Sequence, residues 1–95
     1  MKTIYKFAIK LQDIIDVVEI AMPRNAVVLS VGNQNENLCV WAETNTNDQK
    51  IGHIRHFRVA GTGHPLDVGI PLGRFLGSVQ FLDGELVFHI YEEKL

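Results

Sequence analysis

Cysteine is nearly missing from this sequence, since Cys39 is the only one among 95 residues. A single cysteine cannot close an intramolecular disulfide, so the cross-linked small secreted folds are excluded and a reducing, cytoplasmic setting is favoured. Long apolar runs are missing too: no stretch approaches the roughly 18–20 residues that a membrane-spanning helix needs, and no basic-then-apolar leader opens the chain. We therefore expect a cytoplasmic protein that has no membrane partner.

A strong net charge is absent as well, because the formal charge is −2 at pH 7. Nothing in that balance indicates a long nucleic acid as the partner. The charges are unevenly distributed, however. The middle of the chain holds Lys50, Arg55, Arg58 and Arg74, with Asp67 as the one acidic residue between them. This region is therefore locally basic, while acidic residues crowd toward the two ends.

Helical periodicity is scarce, and the apolar residues recur instead with period two or in short β-branched runs. With 95 residues and 46% hydrophobic content, the chain fits one domain over residues 1–95. The pattern predicts seven strands, at about residues 2–10, 13–20, 26–32, 38–44, 51–60, 74–82 and 85–92. A short helical turn near residues 12–18 is the alternative to the second strand, although the β-branched residues there favour the strand.

Turn signals separate these strands. Asp83-Gly84 lies between two alternating runs, and this dipeptide is typical of a two-residue type I′ hairpin, which needs positive φ at both positions. Residues 33–37 are expected to form a longer hairpin loop, and Pro23 is expected to end the strand before it. The fold class that we predict is all-β: a small antiparallel sandwich or partly closed barrel of about seven strands.

Residues 51–60 form the most unusual predicted strand, since neither of its faces is cleanly apolar. Ile51, His53, Arg55, Phe57 and Val59 alternate with Gly52, Ile54, His56, Arg58 and Ala60. Two interpretations are open. The basic residues can protect a sheet edge against unwanted pairing, or Arg55 or Arg58 can bind a phosphate or carboxylate through two hydrogen bonds.

The loop Gly61-Thr62-Gly63-His64 follows that strand directly. Glycine tolerates the positive φ by which backbone N–H groups converge on an anion, and Thr62 adds a hydroxyl. No Gly-Lys-Ser/Thr or G-x-G-x-x-G motif accompanies the glycines, so a structural turn is the alternative. The residues predicted to bind an anionic ligand are Arg55, His56, Phe57, Arg58, Gly61, Thr62, Gly63 and His64, with Phe57 or another exposed ring stacking on a base.

Catalytic and metal-binding motifs are not apparent. His53 and His56 are three residues apart, a spacing that puts them on opposite faces of a strand, so they cannot chelate one metal ion together. Cys39 lies in an apolar strand, and Ser30 and Ser78 lie in mid-strand without a nucleophile elbow. We therefore predict a protein that is not an enzyme and has no catalytic residues, no metal and no cofactor.

Several stretches carry a family resemblance across nearly the whole chain. They are MKTIYKF at the start, AVVLSVGNQNENLCVWA, FRVAGTGHP, FLGSVQF and LVFHIYE near the end. In these stretches the sequence resembles a group of small phage, prophage and bacterial proteins known as a domain of unknown function. The resemblance implies a phage or prophage source, and hence the cytoplasm of a host cell, but it assigns no residue roles.

The phage context suggests two functions by analogy. Small phage proteins are often host-takeover factors, including β-rich oligomers that sequester nucleotide-derived immune signals, or they are virion and assembly components. We therefore predict a homo-oligomer that sequesters an anionic, nucleotide-like molecule, with a host immune signal as one candidate for an anti-defence role. The alternative is a structural or protein-interaction module whose mixed strand docks a partner along its edge.

Overall fold

Seven β-strands make up most of the fold. The computed structural model describes residues 1–45, 51–66 and 72–93, and its strands are β1 (Lys2–Lys10), β2 (Val17–Pro23), β3 (Val27–Gln34), β4 (Asn37–Asn45), β5 (Ile51–Gly61), β6 (Arg74–Phe81) and β7 (Leu86–Glu92). They form a three-stranded sheet in the order β1-β4-β3 and a four-stranded sheet in the order β2-β5-β7-β6, and every pairing is antiparallel. The predicted all-β fold is confirmed. It is a sandwich, because neither sheet closes into a barrel within the described residues.

One apolar core lies between the two sheets, since each strand places alternate side chains toward the opposite sheet. Its fully buried members come from both sheets, and the largest of them are Phe57, Phe81, Met22, Leu38, Ile90, Val28 and Val40. The edge strands β3 and β6 also meet, where Asn33 Nδ2 donates a 2.8 Å hydrogen bond to the Gln80 carbonyl. At roughly 25 cal/mol per Å² of apolar surface buried, this shared core is the main source of stability.

Cys39 lies on the outer face of the three-stranded sheet and is nevertheless fully buried. Its neighbours on β1 and β3 in the register are Ala8 and Gly32, whose small side chains leave room above the thiol. Lys6 Nζ on β1 donates a 2.5 Å hydrogen bond to Gln34 Oε1 on β3, and this bond passes across β4. The Trp41 ring also reaches over Gly32 on this side of the sheet, since a Cβ there would lie 3.1 Å from its Cζ3.

The ambiguous segment 12–20 contains both of the structures considered for it. Leu11–Asp13 is a single 3-10 turn, closed by a 3.2 Å bond from the Ile14 N–H to the Leu11 carbonyl. The strand β2 begins later than predicted, at Val17. Among the described residues the helical elements are turns of three residues, and none of them could cross a membrane.

Both hairpin loops differ in length from the prediction: the β3–β4 loop is shorter than expected, and the β6–β7 loop is longer. Gln34 pairs with Asn37, so the β3–β4 loop has only two residues, and both of them have positive φ as a type I′ turn requires. Phe81 pairs with Leu86, so the two-residue turn predicted at Asp83-Gly84 is wrong: the loop covers 82–85. A tertiary contact accompanies the longer loop, because the Leu82 N–H donates to the Glu36 carboxylate of the other hairpin at 3.1 Å.

Candidate functional site

Among the described residues, half of β5 has an open edge. β5 pairs with β2 from Ile51 to Arg58, but it pairs with β7 only from Phe57 to Gly61. The last bond on the β7 side runs from the Glu93 N–H to the His56 carbonyl at 2.9 Å. The N–H and C=O of one strand residue point to the same side, and this side alternates along the strand. The backbone groups of Ile54 therefore point to the same side as those of His56, beyond the end of β7.

A cleft of about 740 Å³ lies along this open edge. Its volume is within the range of roughly 300–1,000 Å³ that small-molecule sites occupy. The described residues that line it come from β5, from the end of β7 and from the start of β6: His53, Ile54, Arg55, His56, Gly73, Arg74, Glu92 and Glu93. Sheet register brings them together, because Glu92 pairs with Phe57 on one side and with Arg74 on the other.

Gly73 allows the chain to enter β6 close to the end of β7. Its φ is +82°, and a Cβ at this position would overlap the carbonyl oxygen of Glu92. Only glycine fits such a close approach without displacing the backbone. The following residue, Arg74, is exposed and lies at the mouth of the cleft.

Arg55 lines the cleft, but its guanidinium is already used within the protein. Its Nε and Nη2 bond the two carboxylate oxygens of Glu92, the second at 2.8 Å, and its Nη1 bonds the Ala26 carbonyl. The two side chains are only 15% and 16% exposed. Arg55 therefore ties β5 to β7 and to the turn between β2 and β3, and all three of its guanidinium nitrogens are engaged in these bonds.

Phe57 and Arg58 are the least accessible of the predicted ligand-binding residues. Phe57 is fully buried in the core, so its ring cannot stack on a ligand. Arg58 is on the other face of β5, with its side chain 8% exposed and its Nη1 3.7 Å from a Glu93 carboxylate oxygen. That Nη1 is buried and has no hydrogen-bond partner among the described residues.

His53 and His56 lie on opposite faces of β5, as their spacing predicts. In the register with β2, His53 is opposite Met22 on the core side, and His56 is opposite Glu19 on the outer side. His56 Nε2 is 3.3 Å from a Glu19 carboxylate oxygen. Within residues 1–45, 51–66 and 72–93 no three His, Cys, Asp or Glu side chains are grouped so that they could hold a metal ion.

The loop 61–64 is a tight turn at the other end of β5. The His64 N–H donates to the Gly61 carbonyl at 3.1 Å, and the Thr62 N–H donates to the Val87 carbonyl at 3.1 Å. Two of the amides expected to cradle an anion are therefore occupied. The His64 ring covers Gly61, because a Cβ there would lie 2.6 Å from its Nδ1. Thr62 lies eight positions after Ile54 in the sequence. This corresponds to roughly 26 Å along a strand, at about 3.3 Å per residue.

The structure thus brings only two of the eight predicted residues, Arg55 and His56, to the cleft. Arg74, Glu92 and Glu93 also line the cleft, although the sequence predicts no binding role for them and Arg74 belongs only to the locally basic middle of the chain. No sequence spacing could have added them, because they join the site through pairing of β5 and β6 with β7. Lys50 and Asp67, which also contribute to that region's charge, lie outside the described residues.

The charges of the cleft are nearly balanced. Glu92 is paired with Arg55, and Glu93 lies beside Arg58. Arg74 has no carboxylate within salt-bridge distance in the part of the chain that the structure describes. One guanidinium group at the mouth of the cleft is therefore available to a ligand, with its full set of hydrogen-bond donors.

Comparison with known proteins identifies the family of the chain. A family model described as Domain of unknown function (DUF7352) matches residues 1–95. No curated protein and no solved structure matches the chain. The resemblance to a small domain family of unknown function is thus confirmed, while the phage or prophage source stays a prediction. The chain belongs, over its whole length, to the family of the Domain of unknown function DUF7352.

Proposed function

We propose that this protein binds a small anionic, nucleotide-like molecule in the cleft at the open edge of β5, and holds it without turnover. The observation that carries the proposal is a cleft of about 740 Å³ that is lined by Arg74, whose guanidinium has no carboxylate partner among the described residues. A phosphate group is the natural partner of that side chain, because a guanidinium can donate two parallel hydrogen bonds to phosphate oxygens. Arg74 therefore takes the role that the sequence analysis gave to Arg55 and Arg58.

The interior of the cleft suits the rest of such a ligand. The Ile54 N–H and C=O offer one donor and one acceptor at the open strand edge, which is the pattern that a nucleobase edge can pair with. The Ile54 side chain is 52% exposed and provides apolar surface beside them. His53 and His56 add ring nitrogens to the lining. These groups support binding, and none of them requires a chemical step.

Sequestration is the form of function that this arrangement fits best. A sequestering protein lowers the free concentration of its ligand and needs only affinity and abundance. A nucleotide-derived host immune signal belongs to the proposed ligand class, and an anti-defence role in a host cytoplasm is the finer form of the hypothesis. A homo-oligomer would multiply the number of clefts for each assembly.

The experiment that tests this function combines thermal shift with retention of ligand. The purified protein is mixed with pooled cyclic and linear nucleotides, the melting temperature is measured, and retained ligand is identified by mass spectrometry. A ligand present at 100 times its Kd should stabilise the protein by about 2.7 kcal/mol, which raises the melting temperature by about 10 °C or more. Unchanged melting with every nucleotide, and no retained mass, would refute the proposal.

Substitution of Arg74 locates the site. Arg74→Ala should lower affinity for the identified nucleotide by at least about tenfold, because a charge-assisted hydrogen bond is worth about 1.5–3 kcal/mol. Lys10→Ala is the matched control, since Lys10 is an exposed cation at the end of β1, on the other sheet. Equal loss of affinity in both variants would indicate non-specific electrostatic attraction, and no loss in Arg74→Ala would place the ligand elsewhere.

A second function is favoured by the same open edge, namely the addition of an extended peptide as a further strand beside β5. Because the Ile54 N–H points away from β2, Ile54→Pro removes a donor from the open edge and leaves the β2 ladder without a lost bond. This variant should abolish peptide binding, whereas Arg74→Ala should change it little. Retention of a peptide by a protein that retains no nucleotide would favour this second function.

A further inference from the structure

Three polar side chains form a continuous hydrogen-bonded chain on the outer face of the four-stranded sheet. Ser78 Oγ lies 2.7 Å from Nδ1 of His89, and Thr62 Oγ1 lies 2.8 Å from Nε2 of the same ring. Ser78 and Thr62 are exposed, and His89 is half-buried between them. None of the three lines the cleft described above. This group of hydrogen-bonded side chains is therefore separate from the cleft.

Backbone pairing explains why Ser78 reaches His89. The Gln80 carbonyl accepts a bond from Asn33 of β3, so the backbone groups of Gln80 point away from β7, and those of Ser78 two residues earlier do the same. Ser78 and His89 are consequently opposite each other as a pair without mutual backbone bonds. Such pairs have closer Cα atoms and closer side chains than hydrogen-bonded pairs.

The roles of the two His89 ring nitrogens depend on its tautomer, and we assign the tautomer from the contact of Thr62 with the Val87 carbonyl. That carbonyl can only accept, and Thr62 Oγ1 donates to it at 3.3 Å, which uses the one hydroxyl hydrogen of Thr62. The Thr62 oxygen then accepts from the N–H at Nε2 of His89. In this neutral tautomer Nδ1 carries a lone pair, and the Ser78 hydroxyl donates its proton to it. The serine oxygen keeps its own lone pairs directed toward solvent.

We propose that Ser78 is an activated nucleophile, with His89 as its general base and Thr62 as the residue that positions the imidazole. A nucleophile within hydrogen-bond reach of a base, and a base oriented by a third group, is the arrangement that activates a serine hydroxyl. The chemical class of substrate is an activated ester. This inference is independent of the cleft and of its proposed ligand.

The reaction is an acyl transfer to Ser78. The serine oxygen attacks the ester carbonyl, its proton passes to Nδ1 of His89, and the bond to the leaving alcohol breaks as that alcohol takes the proton. Water then attacks the acyl-serine, His89 accepts one of its protons and returns it to the serine oxygen, and the carboxylic acid is released. The Ser78 N–H points away from β7, toward the edge at which β6 meets β3.

Most serine triads are completed by a carboxylate, whereas here the third group is the neutral hydroxyl of Thr62. We therefore expect a slower acyl transfer to Ser78 than in those triads. A neutral hydroxyl orients the ring but does not stabilise the imidazolium that forms during the reaction. Ser78 should therefore react with activated reagents and turn over ordinary esters slowly. The direct readout is covalent labelling of the serine.

The experiment uses a fluorophosphonate probe on the full-length chain, with intact mass and peptide mapping as readouts. Labelling forms a bond between the serine oxygen and phosphorus, releases fluoride, and transfers the serine proton to His89. Wild type should be labelled at Ser78, and Ser78→Ala should lose the label. His89→Gln should be labelled at least about 100-fold more slowly, as expected from loss of a general base. Ser30→Ala is the matched control, because Ser30 is an exposed mid-strand serine of β3.

Thr62 is tested through a conservative pair of variants. Thr62→Val removes the hydroxyl and should slow labelling by about tenfold, whereas Thr62→Ser keeps the hydroxyl and should restore the wild-type rate. Circular dichroism checks that each variant is folded. The proposal fails if wild type is not labelled, if the label lies on another residue, or if labelling of Ser78 proceeds at the same rate in His89→Gln.

Discussion

The pair between Arg55 and Glu92 provides the sharpest test of the fold at the cleft. Glu92→Leu leaves the Arg55 side chain, which is 15% exposed, with the Ala26 carbonyl as its remaining partner among the described residues. Breaking a buried ion pair costs about 3–5 kcal/mol, and we expect about 3 kcal/mol because both side chains retain some exposure. For a domain of this size the melting temperature should fall by about 15 °C. Urea unfolding followed by far-ultraviolet circular dichroism measures the change.

A double-mutant cycle separates the pair from the packing around it. Arg55→Met combined with Glu92→Leu should be destabilised by less than about 2 kcal/mol, well below the sum of the single variants, because an apolar pair leaves no unpaired charge. Lys2→Met is the control, since the exposed pair of Lys2 and Glu43 should contribute under about 1 kcal/mol. Additive costs in the cycle, or a loss below about 1 kcal/mol for Glu92→Leu, would refute the structural role of Arg55.

Three further predictions concern stability, and urea unfolding measures each of them. Gly73→Ala should lower the free energy of unfolding by at least about 3 kcal/mol, because its Cβ would overlap the Glu92 carbonyl. Gly63 has a similar φ of +80° but open space around it, so Gly63→Ala should lower it by only about 1–2 kcal/mol. Equal losses would show that the close approach at Gly73 is unimportant. Phe57→Ala should cost about 3–5 kcal/mol, as a fully buried ring does, and a stable Phe57→Ala variant would contradict its place in the core. Leu82→Asn should raise the free energy of unfolding by about 0.5 kcal/mol, because Leu82 has a φ of +53° and asparagine tolerates this region better than leucine. A lower free energy of unfolding would mean that the packing of the half-exposed leucine side chain stabilises the protein.

Much of the fold could be predicted from the sequence, because period-two alternation and turn residues act locally. Six of the seven strands lie within two residues of their predicted bounds, β2 lies three to four residues later than predicted, and the β3–β4 and β6–β7 hairpins pair as expected. Loop lengths were harder to predict. Asp83-Gly84 has the composition of a two-residue turn, yet Leu82 also takes positive φ, and its N–H bonds Glu36 in the distant hairpin. A contact across 46 residues has no local signal in the sequence.

The candidate sites were much less predictable. Alternation correctly divided His53 from His56, but it could not show that Arg55 meets Glu92 or that Phe57 faces the core. Both results depend on which strands are neighbours in the sheet. The pairing of Ser78 with His89 has the same origin, since a hairpin brings together two residues that are eleven positions apart. Neither arrangement has a motif in the sequence, because strand register creates both of them.

Modification of the buried Cys39 thiol can measure how often the three-stranded sheet opens. Cys39 is fully buried on the central strand β4, so an alkylating reagent can reach its thiol only after the structure around it opens. The modification rate in native buffer then gives the frequency of that event. If it exceeds the rate of global unfolding, the three-stranded sheet opens locally while the rest of the domain remains folded. A chain with a single cysteine thus allows this measurement without any engineered label.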